Sequence, residues 1–424
     1  MTDTFTNSQK SEPFLLGNAV GCAVMVLLFT YVIDSPLRFG LSKLHISPVI
    51  YLRDAGALAI TLAAFWHWIK GKQLNASTFV GFVILIHVFY GILALGSLVQ
   101  PIVGFKLYLT MLLGVASYET YSRHPKATAY WAAIAFVVTA VGVGINWFVD
   151  MPWTGEVFDS ARGDTAVSVE WTTGGIRRLS GFARASYDAS TIAAVTCIPL
   201  LFLPSTGIIK RFALIITATG IIILTTSKGS LLAMIFIAFF ALFFTDIKKQ
   251  NKISWPFFLL PAVSLGIPAI LSAYGFKAEL TGNLWVLFSS FGERINWMWP
   301  RAFANITTGG NYLLGRGVGG IGFPQYFGEG SIYNAADNTM VYLFANFGLF
   351  ALIYIYLILI RLKRNAQNIS SYAWHCILAW LIYWNIYGLT TNIIENPFFT
   401  FFLGLIIGAA FTKRSDNLHA PAAS

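Results

Sequence analysis

Long uninterrupted apolar runs, separated by short polar punctuation, dominate this chain from end to end. Twelve are drawn, over residues 14–33, 48–69, 77–99, 101–121, 127–149, 188–204, 208–226, 229–245, 254–274, 337–360, 372–390 and 397–412. Each approaches the ~20 residues that a helix needs to cross ~30 Å of hydrocarbon. The sixth, eighth and twelfth are short, which points to tilting, local thinning or a broken helix. None alternates with the period of two that a membrane β-barrel shows. The pattern predicts an all-α fold, a polytopic transmembrane bundle of about 12 spans. Residues 1–424 then form a single domain, with long loops at 150–187 and 275–336 that are partly helical.

Composition strengthens this reading. Hydrophobic residues make up 56% of the chain and charged residues 11%, with a mean hydropathy of +0.67, whereas soluble domains are about a quarter charged. Cys22, Cys197 and Cys376 lie in apolar runs and read as small buried hydrophobes. The histidines are scattered and no two have metal-ligand spacing. The polar start MTDTFTNSQKSEP leads into an apolar run without a small-residue cleavage site, so the first span is expected to stay. Residues 1–12 and the tail SDNLHAPAAS read as disordered.

The net charge of +10 is first a topology signal. With the N-terminus in the cytoplasm, the inward loops collect Lys10, Lys70, Lys72, Arg123, Lys126, Lys210, Arg211, Lys248, Lys249, Lys252, Arg361, Lys363, Arg364, Lys413 and Arg414. These are 15 of the 28 Lys and Arg. Arg38 and Lys43 go against the trend, but the rule holds well enough to place both termini inside. Membrane lipids and topology thus account for half of the cations, and no nucleic-acid partner is needed.

The other cations gather at the outer face. The first long loop carries Arg162, Arg177, Arg178 and Arg184, and the second carries Lys277, Arg294, Arg301 and Arg316. Such a surface suits a phosphate or diphosphate at membrane level. Arg178 and Arg184, in RLSGFARASYDAS, can grip phosphate oxygens or simply snorkel at a helix entrance. Lys228 in TTSKGS opens a helix, whose free N–H groups would add to an anion site; the alternative is a plain hairpin. In GERINWMWPRAF, the spacing of Arg294, Trp297 and Arg301 puts all three on one helical face, lying flat at the interface. Glu293 and Arg294 can equally pair with protein groups. The run GRGVGGIGF has neither Walker nor Rossmann spacing and reads as a tight path over the bundle. Asp337 and Asn338 open the tenth span; Asp337 is either a general base or a helix cap. Glu395, in NIIENPFF, is a similar candidate at another mouth.

The order of these pieces resembles the Wzy and O-antigen ligase (WaaL) superfamily: RLSGF, then TTSKGS, RINW, LLGRGVGG and ADNTMVYLFANFG, over about residues 175–350. That resemblance implies a metal-independent, cofactor-free, GT-C-like glycosyltransferase of a bacterial inner membrane, with a periplasmic site. It would take glycan from an undecaprenyl-diphosphate donor to a lipid-linked acceptor, alongside a chain-length regulator copolymerase. Arg178, Lys228, Arg294 and Arg184 would bind the diphosphate and Asp337 with Arg294 would be catalytic, supported by Asn338, Arg301, Arg316, Glu293 and Glu395. Lys228 stands where the family has arginine and Asp337 where its ligases have histidine, so a repeat-unit polymerase is favoured over a ligase. The rival from outside enzymes is a flippase for a lipid-linked sugar.

Overall fold

The computed structural model describes residues 19–411, apart from 71–75, 161–162, 170, 174, 245–246 and 280–288. The two termini, with Lys10, Lys72, Lys413 and Arg414 of the orientation argument and Arg162 of the first loop, lie outside the described residues. The helices are α1 (Ala19–Val32), α2 (Asp34–Lys43), α3 (Leu52–Lys70), α4 (Ala76–Leu95), α5 (Val99–Arg123), α6 (Pro125–Phe148), α7 (Ser186–Leu201), α8 (Ile208–Leu224) and α9 (Lys228–Phe243). They continue with α10 (Ile247–Ala273), α11 (Trp299–Ile306), α12 (Thr339–Phe347), α13 (Phe350–Asn365), α14 (Ser371–Tyr387) and α15 (Pro397–Phe411). Four helical stretches are long and apolar enough to cross a membrane: Ser47–Trp66, Thr78–Leu95, Val99–Arg123 and Pro125–Phe148. Counting each of two bent pairs as one span raises the number to six. The protein is therefore a helical membrane protein by length and composition.

Three features depart from the apolar pattern. The first span turns by 83° between α1 and α2, and the tenth breaks into α12 and α13, which meet at 116°. The first long loop is not helical. It folds as two antiparallel hairpins, β1 (Val157–Ser160) with β2 (Gly163–Ala166), and β3 (Thr172–Thr173) with β4 (Ile176–Arg177). That loop has its own apolar core, in which Met151, Trp153, Phe158 and Val167 pack with Leu41 and Ile50.

The centre of the bundle is α14, buried at every position from Tyr372 to Tyr387. A helix that is apolar nearly all round suits such a buried place. It is keyed to α7 and α9 by polar contacts: Trp380 Nε1 donates to the Val195 carbonyl at 3.2 Å, and the Tyr383 hydroxyl meets Ser230 Oγ at 2.9 Å. Alongside, α5 and α15 cross at Gly114 and Gly404, where any Cβ would lie 2.0 Å from the opposing carbonyl oxygen. Backbones this close need small residues, the usual means of helix association in lipid.

The break at Gly348 explains the glycine run. A helix that ends inside a bundle leaves carbonyls that water cannot satisfy. The N–H groups of Arg316 and Gly317 supply Ala345 and Asn346 at 2.8 and 3.0 Å, and Leu349 N–H reaches the Tyr312 carbonyl at 2.9 Å. Gly315 (φ +71°) and Gly348 (φ +59°) must both be glycine here. Each would drive a Cβ into the other strand's backbone, within 2.4–2.7 Å. Asn346 completes the joint, its Oδ1 accepting from Gly319 and Gly320 N–H at 3.1 and 3.2 Å. Asn346→Ala orphans the buried Gly319 N–H at ~1–3 kcal/mol and leaves Gly320 N–H only its bond to the Gly317 carbonyl, so a drop in the thermal midpoint of the purified protein is expected. An unchanged midpoint would mean that the joint contributes nothing.

Candidate active site

The second long loop returns to the bundle beside α12, and there Arg294 pairs with Asp337 just ahead of that helix. Asn338 is the cap of α12: its Oδ1 accepts from Met340 and Val341 N–H at 2.8 and 3.0 Å. The Asn338 amide also ties α10 and the 389 turn through Ser264 and Leu389 carbonyls, at 3.0 and 3.2 Å. The capping role therefore belongs to Asn338, and Asp337 is left for something else. Its carboxylate accepts from Arg294 Nη2 at 3.1 Å. Ala336 and Asp337 both have positive φ, +62° and +43°. Aspartate tolerates that region, whereas alanine is strained in it. Strain held at Ala336 beside a charged pair marks a place where geometry has been kept against local preference.

Arg294 opens a five-residue π-helical turn, Arg294–Met298, ahead of α11. The wider turn breaks the predicted common face. Trp297 is 72% exposed, under Lys277, while Trp299 is 2% exposed and packs edge-to-face on Phe291. Arg301 does not join Arg294; its Nη2 donates to the Ser331 carbonyl at 3.0 Å and anchors the loop. Such π turns often occur at functional sites because they re-aim a side chain. The Arg294 Nη1 donates to the Ser290 carbonyl at 2.8 Å, and its Nε is buried without a partner among the described residues.

One further predicted residue, Arg178, lies near this pair. Burial lowers the affinity of Arg178 for its proton, and the like charge of Arg294, close enough to act on it, adds to that. Arg178 also faces Trp171 at 5.5 Å and reaches the Thr225 carbonyl at 3.4 Å. That contact brings in the α8–α9 hairpin, whose exposed Lys228 opens α9. Gly229 packs so tightly on Tyr387 and Thr390 that a Cβ would sit 2.4 Å from Thr390 Oγ1. Tyr387 in turn is within electrostatic reach of Arg178.

Glu395 is the second carboxylate. Burial pushes it up to about 7, the Phe323 N–H at 2.7 Å opposes that, and the charge of Asp337 adds to it. Burial likewise raises Asp337, but Arg294 pulls it back through charge and hydrogen bond. Two carboxyls in different surroundings are suited to holding and taking a proton: burial raises Glu395 to about 7, and Asp337 rises less than burial alone would raise it because Arg294 favours its charged form.

The remaining predicted residues lie elsewhere. Arg316 is 1% exposed and wholly engaged, with Glu329 at 2.6 Å and the carbonyls of Gly320 and Thr308 at 2.6 and 2.8 Å. It is a brace for the loop, and no phosphate can reach it. Glu293 is exposed. Arg184 belongs to a neighbouring buried network, within electrostatic reach of Asp34 and Asp188, where Asp34 also pairs with Arg38 and Arg53. Asp188 accepts from Asn396 Nδ2 at 2.8 Å. Tyr187 joins this network to the Arg294 cluster, since both Asp188 and Glu395 act on it. Tyr187, Asp188 and Tyr387 carried no sequence signal beyond being polar residues in apolar helices, which is itself a marker of function in membranes. Among the described residues no group of three or more His, Cys, Asp or Glu gathers as a metal site.

No family model matches the chain, and no curated protein matches it either. The functional reading rests on geometry and on the resemblance in motif order.

Proposed function

We propose that the protein is a Wzy-like repeat-unit polymerase. It would lie in a bacterial inner membrane with some 12 crossings of GT-C-like type, both termini cytoplasmic and the Arg294–Asp337 site periplasmic. The donor is a glycan on undecaprenyl diphosphate and the acceptor a lipid-linked repeat unit. The acceptor hydroxyl attacks the anomeric carbon and its proton passes to Asp337. The bond from that carbon to the diphosphate oxygen breaks, and undecaprenyl diphosphate departs. Charge develops on the departing diphosphate, where Arg178, Arg294 and Lys228 stabilise it. The donor bond is already activated, so the reaction needs no nucleotide, and no metal or cofactor is invoked.

One observation supports this most. Arg294 is bonded to the Asp337 carboxylate at 3.1 Å and opposes the like charge of Arg178 nearby. A polyanion relieves that repulsion, while a neutral solute would not. The test is reconstitution of the purified protein with lipid-linked repeat units and, separately, lipid A–core. Longer lipid-linked chains are expected. Product on lipid A–core would make it a ligase, and movement of unextended substrate without either product would make it a transporter.

A further inference from the structure

The segment between the glycine run and Asp337 presents aromatic rings, and it does so from a backbone that is fastened on every side. Phe323 N–H is held by Glu395 at 2.7 Å. Gln325 Oε1 accepts from Gly322 and Asn334 N–H at 3.1 and 2.9 Å. Glu329 is clamped by Arg316 at 2.6 Å and by Gln100 Nε2 at 3.0 Å. Arg301 and Asn305 hold the carbonyls of Ser331 and Ile332, each at 3.0 Å. On this frame the rings of Tyr326 and Tyr333 stack, with centroids 4.2 Å apart and planes 26° from parallel. Phe323 supports Tyr326 edge-on at 6.2 Å, and Phe327 packs on Phe323 at 5.6 Å.

Position separates this stack from an ordinary interfacial aromatic. Tyr333 lies within electrostatic reach of both Asp337 and Glu395, so the stack borders the carboxylates. Tyr326 nevertheless remains 37% exposed, which leaves part of an aromatic surface open beside the charged pair. A pyranose has one face of C–H groups, weakly positive, that matches the negative face of an aromatic ring, while its hydroxyls turn edgewise to carboxylates. A preorganised frame is what a site needs to fix a reacting hydroxyl.

We propose that Tyr326 and Tyr333 form a stacking platform for the pyranose ring of the acceptor, setting its attacking hydroxyl toward Asp337. This rests on the polymerase reading and adds to it an acceptor subsite distinct from the diphosphate cations. Tyr326 contributes the ring face that the sugar touches. Tyr333 backs it and orients it.

The experiment uses the full-length purified protein in nanodiscs. Its probes are lipid-linked repeat units extracted from cells lacking the protein, and the phosphate-free oligosaccharide released from them. Tyr326→Leu is expected to raise the acceptor KM about five- to ten-fold and to weaken binding of the free oligosaccharide equally. Its kcat falls as well, because the attacking hydroxyl is no longer set toward Asp337, whereas Tyr326→Phe, which keeps the ring face and loses only the hydroxyl's bond to Tyr333, is the milder change in both KM and affinity. The platform is overturned if Tyr326→Leu leaves KM and oligosaccharide affinity unmoved, or if Tyr326→Phe is as damaging as Tyr326→Leu. A variant that only inserts or folds less well, at unchanged KM, points to membrane anchoring and also overturns it. If wild-type protein elongates nothing, the polymerase reading falls on its own, and the oligosaccharide binding comparison still decides the platform.

Discussion

Arg294→Ala is expected to abolish chain elongation while the protein remains folded. Removing one cationic group aimed at developing charge costs ~10²–10³ in rate, and here the loss is compounded. Asp337 is a partly buried carboxyl whose charged form this guanidinium favours. Without it the carboxyl keeps its proton at higher pH, so base and diphosphate contact fail together. The stability cost is smaller. A fully buried ion pair broken on one side costs ~3–5 kcal/mol, but these side chains are 14% and 30% exposed, and Asp337 can take up a proton. Arg294→Lys keeps charge and loses the fork of donors, so it should restore only part of the rate. Initial elongation rates alongside thermal midpoints check this. Near-normal elongation by Arg294→Ala, or a collapse of the midpoint that tracks the lost activity, would count against it.

Asp337→Asn should cost ~10²–10⁴ in rate, the range for loss of a general base, with little effect on the fold. Asparagine accepts the positive φ that Asp337 occupies, and Asn338, not Asp337, caps α12. The same assignment fixes a pH dependence. Burial raises Asp337 above its ordinary 3.8. A base works ionised, so wild-type rate falls as pH drops through this raised value, tenfold per unit below it. Arg294→Gln removes an influence that lowers the value, so its residual activity should lose rate at a higher pH than wild type does. A pH–rate profile of both proteins shows whether the acid limb moves in that direction.

Hydropathy alone made most of the scaffold legible. The runs at 77–99, 101–121 and 127–149 match α4, α5 and α6 within a few residues, because continuous apolar helices need nothing but length to be seen. The break at Gly348 was hidden, since the apolar run continues across it and the donors that finish α12 come from residues 315–320. The π turn hid the facing of Trp297 and Trp299, because spacing arguments assume 3.6 residues per turn. Arg38, which went against the charge rule, is explained by Asp34, with which it forms a 2.7 Å pair. Arg316 looked like a site cation because its partner Glu329 lies beyond the glycine run. Arg178, Lys228, Arg294 and Asp337 were legible only as an order of motifs; the fold adds the Arg294–Asp337 pair and puts Arg178 within electrostatic reach of Arg294.

The most direct test of the central claim is elongation of extracted lipid-linked repeat units by purified wild-type protein and by Asp337→Asn, measured side by side in nanodiscs. A ladder of longer lipid-linked chains from wild type, with none from the equally folded variant, is the predicted result. A wild-type sample that makes no ladder, or an Asp337→Asn ladder formed at near-normal rate, would contradict it.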